Sequence, residues 1–160
     1  MNRRAKPRKR SARPTKKVKR SATISHAAPA GMPRLGLESA VQSVVPREWT
    51  IAAFDPRLPA VLSTPAMIGM MEVAAAQAVQ PELPAGSITV GTRIEVDHLK
   101  AATEGATVRA AARLVGYQGR FLVFEVEARS GDLVLGRGKV LRAIIEPQPF
   151  QVRAAAVKNS

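Results

Sequence analysis

Between Arg57 and Glu82 the chain carries one ionisable side chain, Glu72, set in a run of Ala, Val, Met and Ile. Charged side chains are seldom fully buried without a partner. Desolvation would raise the pKa of such a carboxyl group, and that setting suits it to general-base or nucleophilic work. The plainer alternative is a structural ion pair, or a side chain that reaches a solvent edge. Imidazole comes from two residues only, His26 in a basic N-terminal stretch and His98 beside Glu95, Asp97 and Lys100. A lone histidine in such company is more often a surface residue than a catalyst, yet an imidazole oriented by a carboxylate can act as acid or base. There is no cysteine. That removes a disulfide framework, a thiolate metal site and a cysteine nucleophile, and two histidines do not make a His-rich zinc site. Missing disulfides fit a reducing, cytoplasmic compartment. No G-x-x-x-x-G-K-[ST] loop is present, so nucleotide hydrolysis has no support.

Glu72 needs a helix around it. Ser63 or Thr64 followed by Pro65 is a helix-start signature: a hydroxyl cap, then proline in the first turn, where its missing N–H costs nothing. A helix is predicted over residues 65–79, stopped by Pro81 and Pro84. Its faces are nearly all apolar, which predicts enclosure by protein. Upstream, residues 39–45 favour a short strand ending at Pro46, residues 47–54 continue extended, and Asp55-Pro56 and Leu58-Pro59 make a loop. Downstream the period becomes two. Residues 87–98, 107–115, 120–128 and 133–145 alternate as strands, joined by turns at Glu104-Gly105, 116–119 and 130–132. The last three read as a meander of hairpins. One strand, one apolar helix and four long strands predict an α+β layout, the sheet wrapping the helix.

Charge is placed unevenly. The net charge is +13, but residues 1–20 hold eleven basic side chains and no acidic one, leaving fourteen basic against twelve acidic in the rest. The remainder is therefore close to neutral, and a uniformly basic nucleic-acid-binding domain is excluded. Residues 1–36 mix these charges with Pro, Ser and Ala and read as a disordered tail. It is a solvated extension, a polyanion contact through phosphate neutralisation, or an Arg-rich transit peptide. It lacks aromatic residues for base stacking. Residues 37–147 form the domain and 148–160 an extension. Residues 61–79 are long enough to suggest a membrane span, but Pro65, Glu72 and Gln77 interrupt them, and a mid-span carboxylate costs about 2.5–3.5 kcal/mol. A buried helix fits better.

Three short runs carry a family resemblance. They are Thr64 to Glu72 on the helix (T-x7-E), Gly91-Thr92 to His98 on the next strand (G-T-x5-H), and Arg142-Ala143-Ile144-Ile145 on the last. In this order and separation the chain resembles the fluoroacetyl-CoA thioesterases of the hotdog fold, over residues 37–145. The resemblance implies a curved antiparallel sheet around one central helix, and hydrolysis of an acyl-CoA thioester by a Thr, Glu and His set, here Thr64, Glu72 and His98. It implies substrate contacts at Gly91 and Arg142, where a strand glycine permits close approach and a cation meets CoA phosphate or an acyl carboxylate. The bland alternatives are a bulge at Gly91 and a solvated Arg142. CoA enters as substrate, with no metal or other cofactor, and the sites lie at the interface of a homodimer or dimer of dimers.

Two departures stand out. The lid-like segment 51–63 is shorter than in the fluoroacetyl enzymes, only Phe54 is aromatic in it, and Leu58 stands where the family has an aromatic lid residue. Pro65 removes one N–H beside Thr64. Geometry adds a constraint: eight helical steps put Thr64 and Glu72 about 12 Å apart. Either the chain before the helix folds back, or Thr64 works with groups of the partner subunit. A non-catalytic module that binds acyl-CoA, or an interaction module, is the rival reading. A dehydratase on the same fold is disfavoured, since adjacent Asp97 and His98 point to opposite sides of a strand.

Overall fold

The computed structural model describes residues 23–147; the basic run 1–20 and the extension 148–160 lie outside the described residues. Five strands and one long helix make the frame: β1 Glu38–Val44, α1 Thr64–Val79, β2 Ile88–His98, β3 Thr107–Gln118, β4 Phe121–Ser130 and β5 Leu133–Ile145. Every neighbouring pair is antiparallel, in the order β1-β3-β4-β5-β2. The hairpins β3-β4-β5 form the expected meander, and α1 carries the chain from one sheet edge to the other. This is the predicted α+β layout.

The helix begins where the proline signature puts it. Ser63 is the cap, its hydroxyl accepting from the Ala66 amide at 3.4 Å. Met67, Met70, Met71, Ala74, Ala75, Ala78 and Val79 are buried. Enclosure is incomplete, however: Gly69, Val73 and Gln77 are exposed. A single sheet covers one flank of a helix, and α1 lies chiefly against β1 and β3. Residues 47–54, expected to stay extended, form two 3-10 turns, Arg47–Trp49 and Ile51–Ala53. The buried Thr50 hydroxyl closes the first by donating to the Arg47 carbonyl at 2.7 Å.

Residues 23–36, expected from composition to lack structure, are docked on β3. Ser25 and Tyr117 exchange backbone hydrogen bonds of 2.7 and 2.8 Å, and the buried Tyr117 hydroxyl donates to the Pro33 carbonyl. Ile24 fills the space a side chain at Gly116 would need, while Met32, Leu35 and Leu37 pack on the core. A few spaced apolar residues offset the ordering cost that the polar composition suggested could not be met.

The face of the sheet away from α1 carries charges in alternating rows. One row reads Glu38, Arg113, Glu125, Lys139, Glu95 across all five strands, and a second contains Glu127, Arg137 and Asp97. Opposite charges facing each other across strands contribute roughly 0.2–1 kcal/mol apiece and select one register.

β5 approaches β2 very closely through Gly138. A β-carbon there would overlap the Glu95 carbonyl oxygen and lie 2.7 Å from the Val96 Cα. Both obstacles are backbone and cannot swing aside. Gly138→Ala should therefore destabilise the domain by about 1–3 kcal/mol, seen as a lower urea midpoint with an unchanged slope.

Candidate active site

Because Ser63 takes the cap, the Thr64 hydroxyl is released from helix duty. Thr64 opens α1, is exposed, and its Oγ1 lies 2.9 Å from His98 Nδ1. His98 is the last residue of β2, and the strand is pinned just beyond it, where the Leu99 and Lys100 amides both donate to the Leu135 carbonyl. Asp97 faces the other way, into the charged outer groove with Arg137 and Lys139. So the imidazole is oriented by a hydroxyl at the helix start, not by its acidic neighbour.

Glu72 sits two turns further along α1. Its side chain is 29% exposed and its Oε1 accepts from Arg142 Nη1 at 3.0 Å. Arg142 itself is buried, 6% exposed. Its Nε donates to Thr89 Oγ1 at 2.9 Å and its Nη2 to the Thr89 carbonyl at 2.8 Å. Burial pushes the Arg142 guanidinium below the usual arginine range, and the Glu72 charge works against that shift. In this geometry the arginine is turned inward and committed to Thr89 and Glu72, away from any phosphate in solvent.

Gly91 explains how a carboxylate fits here at all. A β-carbon at this position would overlap Glu72 Oε1 and lie 2.9 Å from its Cδ. Gly91 pairs with Arg142 in the β2-β5 ladder, and the register shifts just after it, between Gly91 and Arg93. The extra residue, Thr92, donates its hydroxyl to the Leu141 carbonyl at 3.1 Å. A bulge of this kind bends the strand and re-aims side chains beside a site.

The sequence candidates thus form two clusters. Thr64 and His98 make one; Glu72, Arg142 and Gly91 make the other, about 12 Å away along the helix. Within one chain Glu72 does not meet His98. Thr89 was not anticipated. Its signal was faint: it is an inward polar residue at the same strand parity as Gly91, in a run that otherwise reads as ordinary β-branched strand. The loop ahead of the helix presents Phe54 and Leu58 outward, 72% and 43% exposed.

Comparison with known proteins bears on this geometry. A family described as fluoroacetyl-CoA-specific thioesterase matches residues 45–148. The fluoroacetyl-CoA thioesterase of Streptantibioticus cattleyicolor is 33% identical over 126 residues, covering 75% of this chain and 91% of its own length. The solved structure of the fluoroacetyl-CoA thioesterase FlK superposes with a TM-score of 0.71 at 32% identity, over 77% of this chain and 96% of that one. A hot-dog-like protein from Thermanaerovibrio acidaminovorans shares the fold at 22% identity, with a TM-score of 0.70 over 79% and 93% of the two chains.

The tightness at Gly91 is testable. The obstacle to a β-carbon is the tip of a flexible side chain, so Gly91→Ala should fold while Glu72 is driven off Arg142. A crystal structure of the variant should show the displaced carboxylate, and turnover should fall about a hundredfold for a misplacement of this size.

Proposed function

The chain belongs to the fluoroacetyl-CoA-specific thioesterase family, and from that premise we propose that it hydrolyses an acyl-CoA thioester to a carboxylic acid and CoA at a site shared by two copies. The observation that carries the reading is the 2.9 Å contact between Thr64 Oγ1 and His98 Nδ1 at the start of α1. In the tautomer with the proton on Nδ1, the imidazole donates to the threonine oxygen, and the hydroxyl hydrogen is free for the thioester carbonyl oxygen. The amides of the first helical turn add positive potential where the oxyanion develops. Pro65 withholds one such amide, and the Thr64 hydroxyl stands in for it.

The base is Glu72, and its reach argues for a homodimer. β2 is an edge strand of eleven residues with exposed Ile88 and Ile94, a surface that invites pairing. In a two-fold antiparallel pairing of β2 with its copy, centred between Ile94 and Glu95, residue 91 stands opposite residue 98. Glu72 lies over Gly91 and Thr64 bonds His98, so that pairing carries the carboxylate of each copy to the hydroxyl and imidazole of the other. Glu72 of the partner subunit then takes a proton from water as the water oxygen attacks the carbonyl carbon. The tetrahedral oxyanion collapses, the C–S bond breaks, and CoA leaves as thiolate. Every group in this sequence of steps is a side chain or water, so we assign no cofactor. No helix among the described residues is long and apolar enough to cross a membrane, and a cytoplasmic site of action accords with a cysteine-free chain and a CoA substrate.

Thiol release from short, branched and aromatic acyl-CoAs tests the reaction. Wild type should turn over at least one, with Glu72→Gln and His98→Ala each reduced about a hundredfold or more. Thioester binding by calorimetry without turnover would instead mark a non-catalytic acyl-CoA-binding module. The shared site has its own test. Co-expressing the Glu72→Gln chain with the His98→Ala chain should restore about a quarter of wild-type activity, because half the random dimers are mixed and each mixed dimer holds one intact site. No recovery would place the whole site within one chain.

A further inference from the structure

Three separate features converge on the Glu72 carboxylate. Gly91 leaves room for it, Arg142 pairs with it, and Thr89 holds Arg142. A buried ion pair is a poor source of stability, since desolvation of two charges offsets most of their attraction and well-packed apolar residues serve as well or better. What such an arrangement does supply is direction. The Arg142 guanidinium makes two bonds to one residue, through Nε to the Thr89 hydroxyl and through Nη2 to the Thr89 carbonyl. Both residues are buried, at 6% and 7% exposed, so rotating the fork strands its N–H donors away from water. With the fork fixed, Nη1 fixes Glu72 Oε1, and the free Oε2 has a set direction.

We propose that Thr89 is a positioning residue of the hydrolysis: it locks the Arg142 guanidinium, which in turn aims the Glu72 carboxylate at the attacking water. Thr89 touches neither substrate nor water and acts through Arg142 alone. This rests on the reading of Glu72 as the base. It gives Arg142 an internal duty in place of a contact with CoA phosphate.

The experiment compares Thr89→Val, Thr89→Ser and wild type, in kcat and KM separately, with the best substrate of the acyl-CoA panel. Thr89→Val keeps the size and the main-chain carbonyl but removes the hydroxyl acceptor. It should lower kcat about ten- to a hundredfold, as loss of an orienting partner does, and leave KM within about twofold. Thr89→Ser restores the acceptor and should restore kcat. In a Glu72→Gln background Thr89→Val should add no further loss, because the group it aims is already gone. Equal losses in the valine and serine variants, a change confined to KM, or a full additional loss in the Glu72→Gln background would each overturn the proposal. If Thr89→Val does not fold, Arg142→Lys takes its place. An ammonium keeps the charge but not the fork, so kcat should fall by a similar factor, and an unchanged kcat would reject orientation as the function. Failure of the parent reading looks different: a wild type with no turnover on the whole panel removes the hydrolysis and this proposal together, whereas an active wild type with an unaffected Thr89→Val removes this proposal alone.

Discussion

The ion pair between Glu72 and Arg142 is the interaction around which the helix and sheet are arranged. It joins α1 to β5 across the place where a β2 side chain would otherwise stand. A guanidinium buried this deeply loses its hydration and needs an anion, and Glu72 is the ionisable residue α1 provides. Breaking such a pair from one side is usually far more costly than replacing both partners, because it leaves a charge uncompensated. The partial exposure of Glu72 tempers that cost, and in the proposed reaction it leaves the second carboxylate oxygen open to reactants. In that reading the position is a compromise between a structural pair, which favours full burial, and a base, which requires an open side.

How much of this was readable from the residues depended on whether each signal was local. Glu72 stood out because an acid in an apolar run contradicts the pattern around it, and Ser63-Thr64-Pro65 announced the helix start by composition alone. The strands were legible from their period, and β5 falls where the alternation put it. His98 had no such contrast, and only the family resemblance carried by the G-T-x5-H run singled it out. The direction of Arg142 was not legible, since an arginine in a strand faces in or out according to what lies across the ladder. That depends on Thr89, fifty-three residues away. The docking of residues 23–36 was hidden for a similar reason. Ile24 and Ser25 look like tail until Gly116 and Tyr117 provide a notch for them. The 3-10 turns between β1 and α1 were missed because they are closed by short-range backbone bonds, with one threonine hydroxyl added on the first, and not by a periodic pattern.

The two faces of the sheet divide the labour. On the outer face, positive and negative side chains alternate along the row Glu38, Arg113, Glu125, Lys139, Glu95 and so help to specify the register, although Arg109 and Arg129 stand opposite each other as like charges. This accounts for a domain that is almost neutral while containing many arginines. On the helix side, among the described residues, the Glu72–Arg142 ion pair stands apart from any such row, and the His98 imidazole lies at the far end of β2. A solitary charge with its partner in low-dielectric surroundings acts more strongly on a reacting group than the same charge in a solvated row. The adjacent residues Asp97 and His98 illustrate the separation, since the strand pleat sends one to each face. The acid nearest in sequence to the imidazole is therefore unavailable to it.

That unavailability bears on why a long edge strand is left bare. Among the described residues His98 has a hydroxyl partner and no carboxylate partner, while Glu72 has a cation partner and neither a hydroxyl nor an imidazole. Each cluster lacks what the other holds, and helix geometry forbids them from closing on one carbonyl in a single copy. Strand geometry offers the remedy at no cost in new residues. Gly91 and His98 lie equally far from the point between Ile94 and Glu95, so the proposed two-fold pairing centred there sets Gly91 of one copy opposite His98 of the other. Under the proposed pairing of two copies, keeping both clusters on the same helix-strand pair gives two sites per dimer and none per monomer. The bulge after Gly91 belongs to the same logic, because it bends β2 at the point where the carboxylate must pass beside it.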